Sequence, residues 1–236
     1  MSKPDLGITT IFLCIRAHLR SMKQIKTKDS SLTFYNARYK DHYHTKSGAR
    51  EEAFEKHAKA LNITEKSNPV IFDICFGLGY NTAAALDLTG QATIYCFEND
   101  KEILAQVLKI DQDFRSWKMI KEFIGQFLKD NKTTYEKGNI RLVMLFGDAR
   151  KTIKKVETKA DFVFFDPFSP AKVPEMWTKE FFKDIYKKMK PDSKLSTYSY
   201  ARFVRENLEK AGFRVIDGVV IGRRSPSTIA IRSSKD

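Results

Sequence analysis

The sequence predicts an α/β fold: a doubly wound, mostly parallel sheet of seven strands with an antiparallel hairpin at one edge. Three observations predict it. From Pro69 onward, short runs rich in Val, Ile and Phe alternate with amphipathic stretches, the mark of buried parallel strands joined by crossover helices. The last two runs have no helical pattern between them, only residues 221–227, so they are expected to pair antiparallel. The 236 residues, 42% hydrophobic and 12% aromatic, suit one large domain with a full apolar core.

In order, the apolar runs are 70–75, 93–97, 141–146, 161–165, 194–198, 213–220 and 228–231. Helical patterns occupy 81–88, 101–110, 150–156, 177–189 and 201–211. Upstream, residues 26–60 are polar and aromatic and end in a predicted helix over 49–61. Residues 1–60 are therefore expected to form an N-terminal extension and entry segment, and 61–236 the main domain. The stretch 8–19 contains Arg16 and His18 and is too short to span a bilayer. It is expected to pack as a helix on the domain, the alternative being that residues 1–21, ahead of Met22, are an extension that adds little, and no membrane anchor is expected.

Lys and Arg number 42 against 29 Asp and Glu, a formal charge of +13. A fold does not need that excess. A persistent positive field points to a polyanionic partner such as nucleic acid, the plain alternative being a Lys-rich solvated surface. The three cysteines, Cys14, Cys75 and Cys96, lack paired spacing, which argues against disulfides or zinc and fits a reducing cytoplasm. His42 and His44 have no third ligand near them in sequence, so no metal site is expected.

The chemistry is concentrated where strands end. The first run leads into FDICFGLGYNTAAAL, placing Asp73, Gly77 and Gly79 at the turn into a helix that begins near Asn81. Glycine there lets a ligand approach bare backbone, although an ordinary βα loop would use it too. Thr82 stands where a third glycine would complete G-x-G-x-x-G, which weakens a pyrophosphate reading. The spacing D-x-x-x-G-x-G instead resembles an S-adenosylmethionine turn. Glu98 closes the second run, nineteen residues after Gly79, where a carboxylate accepts both ribose hydroxyls of a nucleoside. Asp148, in GDAR after the third run, suits an adenine amine, with Ala149 leaving room for the ring, and equally suits a helix N-cap.

The fourth run ends in ADFVFFDPFSPAKVPEMWT. Pro167, Pro170 and Pro174 stiffen the loop after Asp166. A carboxylate held there can orient an amine and take its proton, which matters because a free alkylamine, with a pKa near ~10, is charged at neutral pH. Phe168 is placed to stack on a base. The alternative is a strand-end Asp that caps a turn, with Phe168 in the core. Lys183, Lys187, Lys188 and Lys190 follow one helical pattern, and Arg202 and Arg205 open another. Arg223 and Arg224, in the hairpin turn IGRRSPS, are the better phosphate candidates because paired guanidinium groups clamp phosphates bidentately.

FDICFGLGYN, FDPFSPAKVPEMWT and STYSYARFVRENLEKAGF together resemble the methyltransferase domain of the bacterial bifunctional tRNA 5-methylaminomethyl-2-thiouridine enzymes, the MnmC-like family. DSSLTF (29–34) and DHYHTKSGAREE (41–52) resemble that family's entry region, so the likeness runs from about residue 26 to 232. It implies a Rossmann-like class I methyltransferase that uses S-adenosyl-L-methionine to methylate the 5-aminomethyl group of a wobble uridine. It implies that Gly77, Gly79, Glu98 and Asp148 hold the cofactor, with Asp73 and Asn81 in the same turn, that Tyr43, His44 and Gly48 lie near it, and that Asp166 faces the amine beside it. Cys75 stands where the family usually has Gly. The family's flavin-dependent oxidase domain is missing from the sequence, so a separate oxidoreductase is expected to supply the aminomethyl substrate. A small-molecule methyltransferase, an aminopropyltransferase-like enzyme and a non-catalytic RNA-binding domain are the alternatives.

Overall fold

The computed structural model describes residues 22–45, 47–222 and 224–234. The expected helix over 8–19, and Arg223, lie outside the described residues.

The entry segment folds as a small antiparallel sheet of β1 (Lys23–Lys26), β2 (Leu32–Asn36) and β3 (Asp41–His42), where sequence reading had no strands. Asp29 shapes the turn between β1 and β2. Its carboxylate accepts from the Ser31 amide at 3.0 Å and the Glu51 amide at 2.9 Å, tying the sheet to the next helix. That helix, α1, begins as Ala49–Glu52 and continues with π-helical pitch over Ala53–Lys59. Its Ala49, Ala53 and Ala58 are buried in a core shared with the main sheet.

The main sheet has eight strands in the order β10-β11-β9-β8-β4-β5-β7-β6. They are β4 (Val70–Ile74), β5 (Ala92–Glu98), β6 (Thr134–Lys137), β7 (Ile140–Phe146), β8 (Ala160–Phe165), β9 (Met189–Thr197), β10 (Arg214–Asp217) and β11 (Thr228–Ile231). The inner five, β7, β5, β4, β8 and β9, are parallel, and β11 runs antiparallel between β9 and β10 as the edge hairpin requires. The strand beyond the expected seven is β6, a polar edge partner antiparallel to β7. The helices are α2 (Tyr80–Thr89), α3 (Lys101–Val107), α4 (Trp117–Asp130), α5 (Ala149–Thr152), α6 (Lys179–Lys187) and α7 (Arg202–Lys210). Of these, α4 corresponds to none of the helical patterns listed above.

Two apolar cores cover the two faces of the sheet. Side chains of β4 alternate between them, Ile71 joining one and Phe72 and Ile74 the other. The chain leaves β4 toward β5 and β7, then returns to β8 on β4's other side, so strand order reverses at β4. Ligand sites in such sheets form outside the carboxyl ends of the strands at that reversal. Among the described residues, no helix is long and apolar enough to cross a membrane.

Candidate functional site

A cleft of about 780 Å³ lies at those strand ends. The turns after β4, β5, β7 and β8 supply its floor and walls, and residues 38–45 of the entry segment supply its roof.

The turn after β4 curls because the Cys75 and Phe76 amides both donate to the Phe97 carbonyl, at 3.1 and 2.9 Å. Cys75, Gly77 and Gly79 all take left-handed φ angles, of 69°, 56° and 80°. The two glycines serve different ends. Gly77 lines the cleft and presents bare backbone beneath the Tyr43 ring. A Cβ on Gly79 would sit 2.5 Å from Phe76 Cζ, so this glycine makes room for a buried ring and is not among the residues lining the cleft. Cys75 keeps the left-handed shape despite its side chain, which also lines the cleft.

Glu98 ties the first two turns together. Its Oε2 accepts from the Gly77 amide at 2.8 Å, and its Oε1 accepts from the Asn99 and Asp100 amides at 2.7 and 2.9 Å. Burial pushes its carboxyl up to about 7 despite those three donors. Asp100 caps α3 by accepting from the Glu102 amide at 2.8 Å, and its second oxygen accepts a hydrogen bond from the Tyr43 hydroxyl at 2.9 Å. The Tyr43 hydroxyl accepts in turn from Asn36 Nδ2 at 2.9 Å. Burial, with Asp100 and Glu98 beside it, holds that phenol far above its ordinary range. Asp148 caps α5 and also chelates the Arg150 guanidinium, whose hydrogen bonds hold its carboxyl below the usual value.

Asp166 stands just beyond β8, anchored by its amide to the Ile74 carbonyl at 3.1 Å. Its Oδ2 accepts from Asn81 Nδ2 at 3.2 Å, which places Asn81, in the first turn of α2, behind the site. The Asp166 side chain is 12% exposed. Burial first, and the nearby Glu52 carboxylate second, push it up to about 6. Phe168 packs against Tyr39 and Tyr43, ring centroids 4.7 and 4.9 Å apart, and forms part of an aromatic wall of the cleft.

The structure thus brings Tyr43, His44, Gly77, Glu98, Asp148, Asp166 and Phe168 to one cleft. His44 stacks on Tyr80 with 4.9 Å between centroids, and its Nδ1 is buried without a partner. Gly79, Asn81 and three other predicted residues do not line it. Asp73 is fully buried and accepts from Thr82 Oγ1 at 2.7 Å. Gly48 leaves room for Asp29, whose Oδ2 would be 2.8 Å from an added Cβ. Arg224 is exposed on the β10–β11 connection, and that loop reaches the entry segment because Gly222 packs on Ser47. Sequence reading missed Glu52, Lys56 and His57 of α1, which lie behind Asp166, and the Asn36–Tyr43–Asp100 chain. The i, i+4 spacing of Glu52 and Lys56 is readable in the sequence, but a solvated helix face carries the same spacing.

Comparison with known proteins gives the following. The family described as S-adenosyl-L-methionine-dependent methyltransferase matches residues 113–233. An uncharacterized protein of Methanocaldococcus jannaschii is 34% identical over 89% of this chain and 59% of its own length. The tRNA 5-methylaminomethyl-2-thiouridine biosynthesis bifunctional protein MnmC of Campylobacter hominis is 32% identical over 77% of this chain and 28% of its own length. The chain therefore spans little more than half of the first relative and under a third of the second. The crystal structure of MnmC2 from Aquifex aeolicus superposes with a TM-score of 0.74 at 31% identity, covering 98% of this chain and 79% of that one. Spermidine synthase from Thermotoga maritima, at 14% identity and a TM-score of 0.56 over 90% of this chain and 68% of its own, shares the fold alone.

Proposed function

Because the chain belongs to the S-adenosyl-L-methionine-dependent methyltransferase family, we propose that it methylates the nitrogen of a 5-aminomethyl group on a modified wobble uridine in tRNA. The observation that carries this reading is Asp166, a carboxylate held at the β8 tip between Asn81 and a cleft walled by Phe168, Tyr39 and Tyr43.

The cleft fits the cofactor chemically. Asp41, Glu52, Glu98, Asp100, Asp148, Asp166 and Glu175 line it, against Arg38 and Arg150. That is an acidic pocket in a chain of net charge +13, suited to a ligand carrying a sulfonium and an ammonium group. Glu98, as a double acceptor at the second strand end, suits a ribose diol, Gly77 leaves backbone open to close approach, and Asp148 with Ala149 suits an adenine edge. When bound, S-adenosylmethionine supplies an electrophilic methyl group.

The protein's own contribution is to present a neutral amine nitrogen. Asp166 receives the amine by its N–H groups and takes the proton that methylation must release. The aromatic wall excludes water and offers faces for the base. The cleft roof comes from the segment up to residue 60, which we assign as an entry segment to the domain formed by 61–236. Arg224, with Arg223, is assigned to the tRNA backbone, a contact that weakens steeply with salt. On this reading a separate oxidoreductase supplies the aminomethyl group, and the protein works in the cytoplasm.

The test is methyl transfer from labelled cofactor to tRNA bearing 5-aminomethyluridine, followed by nucleoside analysis. Label in 5-methylaminomethyluridine is expected. Label only in a free polyamine, or none in tRNA under conditions where the cofactor binds, would refute the assignment.

A further inference from the structure

We propose that His57 is a positioning residue that directs its Nε2 proton at Asp166 and keeps that carboxylate ready to accept a proton from the substrate. The inference rests on the reading of Asp166 given above.

His57 lies in the π-helical part of α1, and π turns within helices are rare and often mark functional positions. Lys56 and His57, consecutive in sequence, are 1% and 0% exposed. A helix that only covers a core has no reason to bury two ionisable side chains in a row. Lys56 is answered by an ion pair with Glu52. His57 is answered on one side only. Its Nδ1 lies 2.9 Å from Ser196 Oγ on β9, while its Nε2 is buried without a hydrogen bond, 3.8 Å from Asp166 Oδ2. Buried polar atoms in native folds are ordinarily partnered.

The tautomer follows from these neighbours. Burial holds the imidazole down to about 4, and the Lys56 ammonium opposes a second positive charge, so the ring is neutral and carries one proton. Ser196 is fully buried and its hydroxyl has one proton to give. Among the described residues the hydroxyl meets no acceptor but Nδ1, and donating there leaves the ring proton on Nε2, aimed at the carboxylate. At 3.8 Å the pair is too long for a hydrogen bond. Across that gap the Nε2–H dipole still faces the carboxylate in a buried, low-dielectric setting, so its effect is present in the cofactor-free protein.

The remaining groups that face Asp166 make this donor matter. Glu52 from α1 opposes its ionisation, and Lys56 from α1 and His44 from the entry segment favour it. Asp73 on β4 lies close enough for its own carboxyl to be raised in part by Asp166, and Cys75 after β4 feels it too. Among the described residues, Asn81 on α2 is the one side chain that hydrogen-bonds it. Against burial and a neighbouring carboxylate, a second N–H keeps Asp166 ionised near neutral pH, where it must accept a proton.

The experiment follows the Asp166 side-chain carboxyl by carbon NMR in the cofactor-free full chain, with the signal assigned through Asp166→Asn, so it needs no tRNA. Wild type is expected to titrate near 6. His57→Leu is expected to move the midpoint up by about one pH unit, a tenfold change in proton affinity, and His57→Gln, whose amide reaches the Nε2 position, to restore it. Nitrogen NMR of the histidine rings should show His57 as the neutral Nε2–H tautomer from pH 5 to 8. If His57→Leu does not fold, Ser196→Ala decides: a mixed tautomer with an upward shift at Asp166 supports the proposal. An unmoved midpoint in the Leu or Ala variant, equal shifts in Leu and Gln, or an Nδ1–H or charged ring in wild type overturns it. Failure of methyl transfer to tRNA with these NMR results intact would remove the substrate assignment alone.

Discussion

Asp73 offers a quantitative test of how this fold holds its charges. It is fully buried on β4, with Oδ2 accepting from Thr82 Oγ1 and Oδ1 unpartnered. Burial raises its carboxyl from an ordinary 3.8 to about 7. The folded state thus holds the proton more tightly than the unfolded chain, so native stability is lost as pH rises from about 4 to about 7. At about 1.4 kcal/mol per pH unit, the full loss is about 4 kcal/mol above pH 7. Local relaxation and water entry reduce that figure, so it is an upper value. Asp73→Asn keeps the shape and removes the titration. Urea unfolding of the cofactor-free protein at pH 4.5, 6 and 8 reads the difference. The variant should gain on wild type by up to about 3 kcal/mol across this range, with most of the gain below pH 7. Glu98 titrates in both proteins, and its contribution cancels to first order. Two parallel stability curves would refute the reasoning, because Asp73 would then be ionised in the folded state at no cost.

Gly79→Ala should destabilise the protein by about 3 kcal/mol, combining a left-handed φ at a non-glycine residue with overpacking against Phe76; an unchanged urea midpoint would show that the ring yields freely. Glu98→Gln should raise the Kd for S-adenosylmethionine by about tenfold to a hundredfold, the worth of one charge-assisted hydrogen bond or slightly more. Calorimetry giving wild-type affinity would detach Glu98 from the ribose. Asp166→Asn should lower kcat by about a hundredfold or more while cofactor Kd stays within about threefold. If the variant turns over at the wild-type rate, Asp166 is not the proton acceptor.

The parallel centre of the fold was legible because its strands are buried on both faces and read as unbroken apolar runs, as in Phe162–Phe165. Of the strands that escaped (β1, β2, β3 and β6), β1 (KQIK) and β6 (TYEK) are polar edge strands of four residues. Their pairing comes from neighbours, not from their own pattern. In contrast, α4 carried a readable signal: Trp117, Ile120, Phe123, Ile124 and Phe127 are all buried at helical spacing. It fell between two expected strands and went unused. At the site, the strand-end acids Glu98 and Asp166 were legible because the topology sends such positions to the cleft. Gly48 and Gly79 show the limit. Sequence alone does not separate a glycine that faces a ligand from one that makes room for a carboxylate or a ring. Glu52, Lys56 and His57 lie in EEAFEKHAK, a run that resembles any solvated helix face, and no residue in it announces a π-helical pitch.

The placement of charge ties these elements to the proposed reaction. Asp73, Glu98 and Asp166 all belong to strand tips around β4, and burial raises each of them. Three carboxyls held so close to neutrality lower the cost of the empty cleft, since ionising all of them together would set like charges against one another. A cationic ligand reverses that balance by favouring the ionised forms. The demethylated product has lost its sulfonium charge and receives less of this stabilisation than the cofactor does. Glu98 and Asp166, the two of these acids that line the cleft, therefore favour S-adenosylmethionine over what remains after transfer. On the proposed function, the chain's excess of Lys and Arg works at longer range and on the opposite sign of partner, drawing the tRNA in. On the same proposal, a net charge of +13 and an acidic cleft are two parts of one arrangement: the surface gathers the tRNA, and the strand tips hold the cationic cofactor beside an amine that reacts in its neutral form.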